Sequence, residues 1–97
     1  MVQDDTWPFD QPRNCAVFTI SGVLDGKEPI LHVTHDEDDH GWQFLGSGDA
    51  QVVDAKLVAF HEIVEMDPTL LQLADLPPGW RAWREKPGAA WMRAPKQ

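Results

Sequence analysis

The chain has no tyrosine, a single cysteine and only eight basic side chains in 97 residues. Each shortage excludes something. One cysteine, Cys15, rules out an intrachain disulfide and any zinc site built on a cysteine pair. Eight Lys and Arg against sixteen Asp and Glu give a net charge of −8, which argues against nucleic acid as the main partner, because phosphate binding needs a basic stripe. No apolar run approaches the ~20 residues that span a bilayer. The opening Met-Val-Gln-Asp-Asp-Thr-Trp-Pro has neither the basic nor the apolar region of a signal peptide, so a reducing cytoplasmic setting is the expectation. Gly46-Ser-Gly48 is too short for a phosphate loop and no Gly-Lys-Ser/Thr follows it. A Gly-x-Ser-x-Gly elbow is also missing. No repeat and no low-complexity tract interrupts the chain.

What is present suits one small domain. The composition, 42% hydrophobic and 25% charged, is that of a globular chain and not of a disordered one. Five tryptophans supply large apolar surfaces that a core this size needs. Charge is unevenly placed. Residues 1–79 carry 3 basic and 15 acidic side chains, whereas residues 80–97 carry five basic (Arg81, Arg84, Lys86, Arg93, Lys96) and one acidic (Glu85). The basic tail either lies against the acidic body or forms a solvated mixed surface.

Residues 1–13 read as an extended lead-in, with Pro8 and Pro12 opposing helix. Trp7 and Phe9 are available to pin it. Residues 14–97 then form a single α+β domain. Cys15-Ala-Val-Phe-Thr-Ile20 has the β-branched and aromatic content of a buried strand. Asp25-Gly26 marks a turn. Ile30–His35 and Trp42–Leu45 predict a hairpin with a charged tip, Trp42 and Phe44 sharing a side. Residues 46–49 read as a loop, and 50–55 are ambiguous. Lys56–Phe60 predicts a strand leading into a short helix over His61–Met66. Asp67-Pro68 is a helix start, with Asp as N-cap and Pro at the first position, running to about Ala74. Pro77-Pro78 stops it. Trp80–Glu85 and Ala90–Arg93 read as a final hairpin, although Trp80 and Trp83 also fit a short helix. The fold class is α+β: a small, mostly antiparallel sheet of about four to six strands with one or two short helices packed on one face.

The turn His35-Asp-Glu-Asp-Asp-His40 is the best candidate for a site, with six consecutive metal-capable side chains. As a calcium loop, Asp36, Asp38 and His40 would fill positions one, three and five, but position twelve falls on Ser47 where a bidentate Glu is needed. A solvated tip or a partner-recognition tip competes with a metal-dependent role for residues 35–40. Cys15 as a nucleophile needs a histidine in reach, and His32 is the candidate. His61-Glu-Ile-Val-Glu65 lacks the second histidine of a zinc-protease helix. Trp42, Trp80, Trp83 and Trp91 beside Arg81, Arg84 and Arg93 have the composition of an interface.

Cys15-Ala-Val-Phe, Pro29–Phe44 with its Trp-Gln-Phe, and Leu73-Ala-Asp-Leu-Pro-Pro-Gly-Trp-Arg-Ala-Trp-Arg84 resemble a group of small bacterial proteins catalogued as a domain of unknown function. Related sequences form the immunity protein 33-like group of polymorphic-toxin systems. The resemblance covers about Cys15 to Arg93. It implies a small α+β cytoplasmic domain that protects by binding a toxin, and it supplies no catalytic residue and no cofactor. The expectation is therefore a non-enzymatic protein-binding module for a partner with a basic surface. Asp36, Glu37, Asp38, Asp39, Arg81, Trp83 and Arg84 are the candidate contact residues, and no cofactor, metal, nucleic acid or membrane is expected. The oligomeric state is not fixed by the sequence.

Overall fold

The computed structural model describes residues 7–9, 11–38, 40–46 and 55–96. The expectations for residues 1–6, for Asp39 and for the stretch 47–54 lie outside them. The chain forms strands β1 (Ala16–Ile20), β2 (His32–His35), β3 (Trp42–Leu45), β4 (Ala55–Ala59), β5 (Trp80–Trp83) and β6 (Met92–Pro95). Helix α1 (Ser21–Leu24) follows β1, and α2 (Phe60–Met66) follows β4 directly, before a 3₁₀ segment over Pro68–Leu73. One open sheet contains all six strands in the order β4-β1-β3-β2-β5-β6. Only β1 and β3 run parallel; every other neighbouring pair is antiparallel. The expected class, α+β with a mostly antiparallel sheet and short helices, is what forms.

Local chemistry accounts for most element ends. Asp67 accepts a hydrogen bond from the Thr69 backbone N–H at 3.1 Å, with Pro68 at the first position. The segment it starts is a tight 3₁₀ coil and not the α-helix expected, and it buries Leu70 and Leu73 at i, i+3. Glu62 reaches back to the backbone N–H of Ala59 at 3.1 Å and so satisfies a donor before α2. Phe60, Ile63 and Val64 form the buried face of α2. At Pro77-Pro78-Gly79-Trp80 the Trp80 N–H bonds the Pro77 carbonyl at 3.2 Å, and Gly79 takes φ 85°, a conformation that favours glycine. This turn starts β5, so Trp80–Trp83 is strand and the helical alternative is not adopted. The last strand is offset from the expected Ala90–Arg93 to Met92–Pro95. Helix α1 is an addition to the expected elements.

The core lies between one sheet face and α2 with the 3₁₀ segment. Val17, Val33, Trp42, Phe44 and Ala82 meet Phe60, Ile63, Leu70, Leu73 and Leu76. The lead-in contributes to this core. Phe9 is buried, and its ring sits 4.5 Å from Phe60 and 5.4 Å from Trp42 between centroids. Trp7 packs edge-on to Phe60 at 5.1 Å. Trp80 and Trp91 are half-buried against the same cluster.

One charged side chain is enclosed with them. Arg84, with 1% of its side chain exposed, donates from Nε and Nη2 to the Ile30 carbonyl at 3.1 and 2.9 Å. Its Nη2 also meets Asp67 Oδ2 at 2.6 Å and its Nη1 meets Thr69 Oγ1 at 2.9 Å. The guanidinium lies 4.3 Å from the centre of the Trp91 ring. Replacing Asp67 with Ala leaves that cation enclosed and uncompensated. The expected loss is about 3–5 kcal/mol, read as a lower urea midpoint at unchanged slope. A loss below about 1 kcal/mol would show the bridge to be incidental.

Candidate functional site

The β2–β3 hairpin holds the acidic tip, and its root is fixed from three directions. Asp36 N–H bonds the Gly41 carbonyl at 2.7 Å and closes the turn. His40 takes φ 59°, and its carbonyl accepts from Gln11 Nε2 at 2.9 Å. Gln11 Oε1 in turn accepts from Trp42 Nε1 at 3.0 Å, so the lead-in ties the tip to the core. On the other side, Gly79 N–H bonds the His35 carbonyl at 2.7 Å, and Lys96 N–H bonds the Gly79 carbonyl at 2.7 Å. A Cβ on Gly79 would sit 3.2 Å from Glu37 Oε1, so glycine also makes room for that carboxylate.

The six-residue run does not act as one cluster. Strand alternation puts His35 on the core face with Val33, where it is buried. Its Nδ1 donates to the Leu76 carbonyl at 2.8 Å, which assigns the proton to that nitrogen, and its ring stacks on Trp42 at 4.0 Å. Asp36 points the other way and pairs with Lys96 at 2.7 Å. Glu37, Asp38 and His40 are exposed. Among the described residues no three His, Cys, Asp or Glu side chains converge as a ligand set. Asp39, the remaining acid of the run, is outside them.

The other candidates separate as clearly. Arg84 is enclosed by its own network, so it is not available to a partner, and its place in the candidate contact set is corrected on that ground. Arg81 and Trp83 lie on the opposite sheet face, the Arg81 guanidinium 4.5 Å from the centre of the Trp83 ring. Trp42 is core. Cys15 and His32 are not on adjacent strands, because β3 lies between β1 and β2. Cys15 shares a shallow depression with His40, Gln11, Phe18 and Trp42, but its Sγ is directed to the Ala16 carbonyl at 3.7 Å and no hydrogen bond joins it to His40. His61 bonds Glu65 one turn on, at 3.0 Å, on the α2 surface.

Sequence reasoning missed the second face of the sheet. No described helix lies on it. Register places Leu57, Phe18, Gln43, Thr34, Arg81 and Ala94 in one row across all six strands. His32, Leu45, Trp83 and Met92 form the next row. Phe18, Leu57 and Met92 are 45, 62 and 56% exposed. The signal was in the alternation: Trp80, Ala82 and Arg84 point inward, so Arg81 and Trp83 must point out. Two polar atoms in these rows, His32 Nε2 and Thr34 Oγ1, are buried without a hydrogen-bond partner.

No helix among the described residues is long and apolar enough to cross a membrane. No family model matches the chain, and no curated protein or solved structure matches it either.

Burial, and after it the positive charges of Arg81 and Lys96, hold the His32 imidazole below its ordinary value of 6.5. The folded chain therefore binds this proton less readily than the unfolded chain. The resulting stability is present in full above about pH 6.5 and declines as pH falls below it. His32→Gln should lose less stability than the parent between pH 8 and pH 5. An NMR titration of His32 with a midpoint at or above 6.5 would refute this.

Proposed function

We propose that this chain is a non-enzymatic protein-binding module that meets a partner with a basic surface, through the acidic tip carried by Glu37 and Asp38. The observation that carries this reading is where the cations go. Of the five in the basic tail, Arg84 is bound to Asp67, Arg93 to Asp75 at 2.6 Å and Lys96 to Asp36. Arg81 is stacked on Trp83. The tail thus docks on the acidic body and is used there, while Glu37 and Asp38 stand exposed on a turn held from three sides. A preorganised charged turn loses little entropy on binding, and its field speeds encounter with a basic surface.

This is the mode of action that the likeness to toxin-immunity proteins implies, and a toxin's basic active-site surface is one such partner. A cytoplasmic setting accords with the free thiol of Cys15.

The test is affinity capture from extract of the source cell at 0.05 and 0.5 M salt (about 14 and 4 Å of screening length), with Glu37→Lys/Asp38→Lys as the control bait. The expected result is a captured protein whose binding weakens at least about tenfold with salt and is lost by the double variant. Capture that is indifferent to both changes, or no capture at all, would overturn the reading.

A further inference from the structure

We propose that the outer edge of β4 takes up an extended segment of a partner protein as an added antiparallel strand, with a lysine or arginine of that segment seated beside Glu62 and Glu65. This surface is independent of the acidic tip. The order β4-β1-β3-β2-β5-β6 leaves the sheet two edges. The β6 edge carries Pro95, which has no N–H to offer an added strand. The β4 edge, Ala-Lys-Leu-Val-Ala, has no such guard. The Phe60 N–H bonds the Cys15 carbonyl at 2.8 Å, and Ala16 lies opposite Ala59, which together fix the direction of every backbone group on β4. Lys56 and Val58 turn theirs to β1, and Ala55 and Leu57 turn theirs outward. No described residue bonds those two N–H groups and two carbonyls from the outer side. An antiparallel strand bonds all four.

The side chains beside this edge specify what is added. Val58 lies opposite Val17 and so faces the core side of the sheet. There Leu24, Val58 and Met66 form a shallow apolar groove bordered by Glu62 and Glu65. Leu24 and Met66 are 37 and 47% exposed. The partner residue opposite Val58 falls into this groove. A lysine or arginine suits it, since the stem covers the apolar floor and the head reaches the carboxylates. Each carboxylate has one oxygen engaged, Glu62 on the Ala59 N–H and Glu65 on the His61 ring, and its second oxygen takes the cation. The residue opposite Lys56 shares that face and is acidic. The residues opposite Leu57 and Ala55 fall on the other face, where Leu57 and Phe18 are exposed, and are β-branched or aromatic. The segment therefore reads basic, apolar, acidic, apolar from its N-terminal end.

Within Ala55–Ala59 a second copy of the chain suits this edge less well. A two-fold axis at Leu57 sets Ala55 against Ala59, whose N–H is already taken by Glu62. An axis at Lys56 sets lysine directly against lysine.

The test is an NMR titration of the full chain with the blocked peptide Thr-Lys-Val-Glu-Val-Thr. The amide signals of Ala55 and Leu57 should move, with a dissociation constant of about 1 mM or tighter. An N-methyl group on the first valine removes a bond to Leu57 and should weaken binding at least about tenfold. The same group on the glutamate, whose N–H faces away from β4, should leave binding within about twofold. Glu65→Lys, at an exposed position and checked for folding by circular dichroism, should weaken binding at least about fivefold. Amides of Ala55 and Leu57 that stay still up to about 5 mM peptide, or binding indifferent to the position of the N-methyl group or to Glu65→Lys, would overturn the inference. Shifts confined to Glu37 and Asp38 would belong to the tip and overturn it too. Movement of the β4 amides on concentrating the chain alone to about 1 mM would give the edge to a second copy instead.

Discussion

The guanidinium of Arg84 is the joint on which the structure turns. It reaches the Ile30 carbonyl just before β2, the carboxylate of Asp67 and hydroxyl of Thr69 at the start of the 3₁₀ segment, and the indole of Trp91 just before β6. Those three segments are widely separated in sequence, and one guanidinium touches all of them. Lysine could not replace it, since a point ammonium cannot serve a carbonyl, a hydroxyl and a carboxylate in one plane while stacking on a ring. An enclosed charge of this kind adds little net stability by itself. Its effect is to specify: the 3₁₀ segment must sit over β5 in one register, or the charge is left without partners.

The same logic divides the sheet into two unlike faces. The covered face holds nearly all the large apolar volume, with the aromatic set Phe9, Trp42, Phe44 and Phe60 at its centre. The opposite face, on which no described helix lies, is a thinner layer of apolar side chains interrupted by Gln43, Thr34, His32 and Arg81. Among the described residues, Glu37 and Asp38 stand exposed at the tip. The basic tail, in sequence a region of contrary sign, is the part that closes the acidic body: Arg93 reaches Asp75 and the Gln72 carbonyl beside the 3₁₀ segment, and Lys96 reaches the tip's own Asp36.

Elements governed by local chemistry were legible. The strand Cys15–Ile20, the hairpin 30–45, the short helix before Asp67 and the cap at Asp67-Pro68 follow from side-chain branching, turn residues and an N-cap, and each lies where those signals put it. What was not legible depends on distant partners. Nothing near β1 says that it pairs in parallel with β3, so the adjacency assumed for Cys15 and His32 fails. Asp67 and Thr69, at the start of Pro68–Leu73, are held by Arg84, a distant partner that no local pattern records. His35 reads with the acidic run because it adjoins it in sequence, although its parity with Val33 places it inside. The residues of the opposite face follow from the same parity, but the clustering of tryptophans along the chain obscures which of them point inward.

The position of β1 has a consequence for the order of assembly. Of the six strands it is the first to be synthesised, yet its two neighbours are β3, about 25 residues later, and β4, about 40 residues later. The nascent chain must hold Val17, Thr19 and Ile20 without a sheet until Leu45 has emerged, and without a second neighbour until Ala59 follows; the Arg84 joint closes only once Trp91 is also available. Contacts this distant slow folding and leave β1 as an unpaired apolar strand in the meantime. The hairpin β2–β3 is the one unit able to form alone early on, so β1 is best regarded as a strand made first and placed late, against a template that its own successors provide.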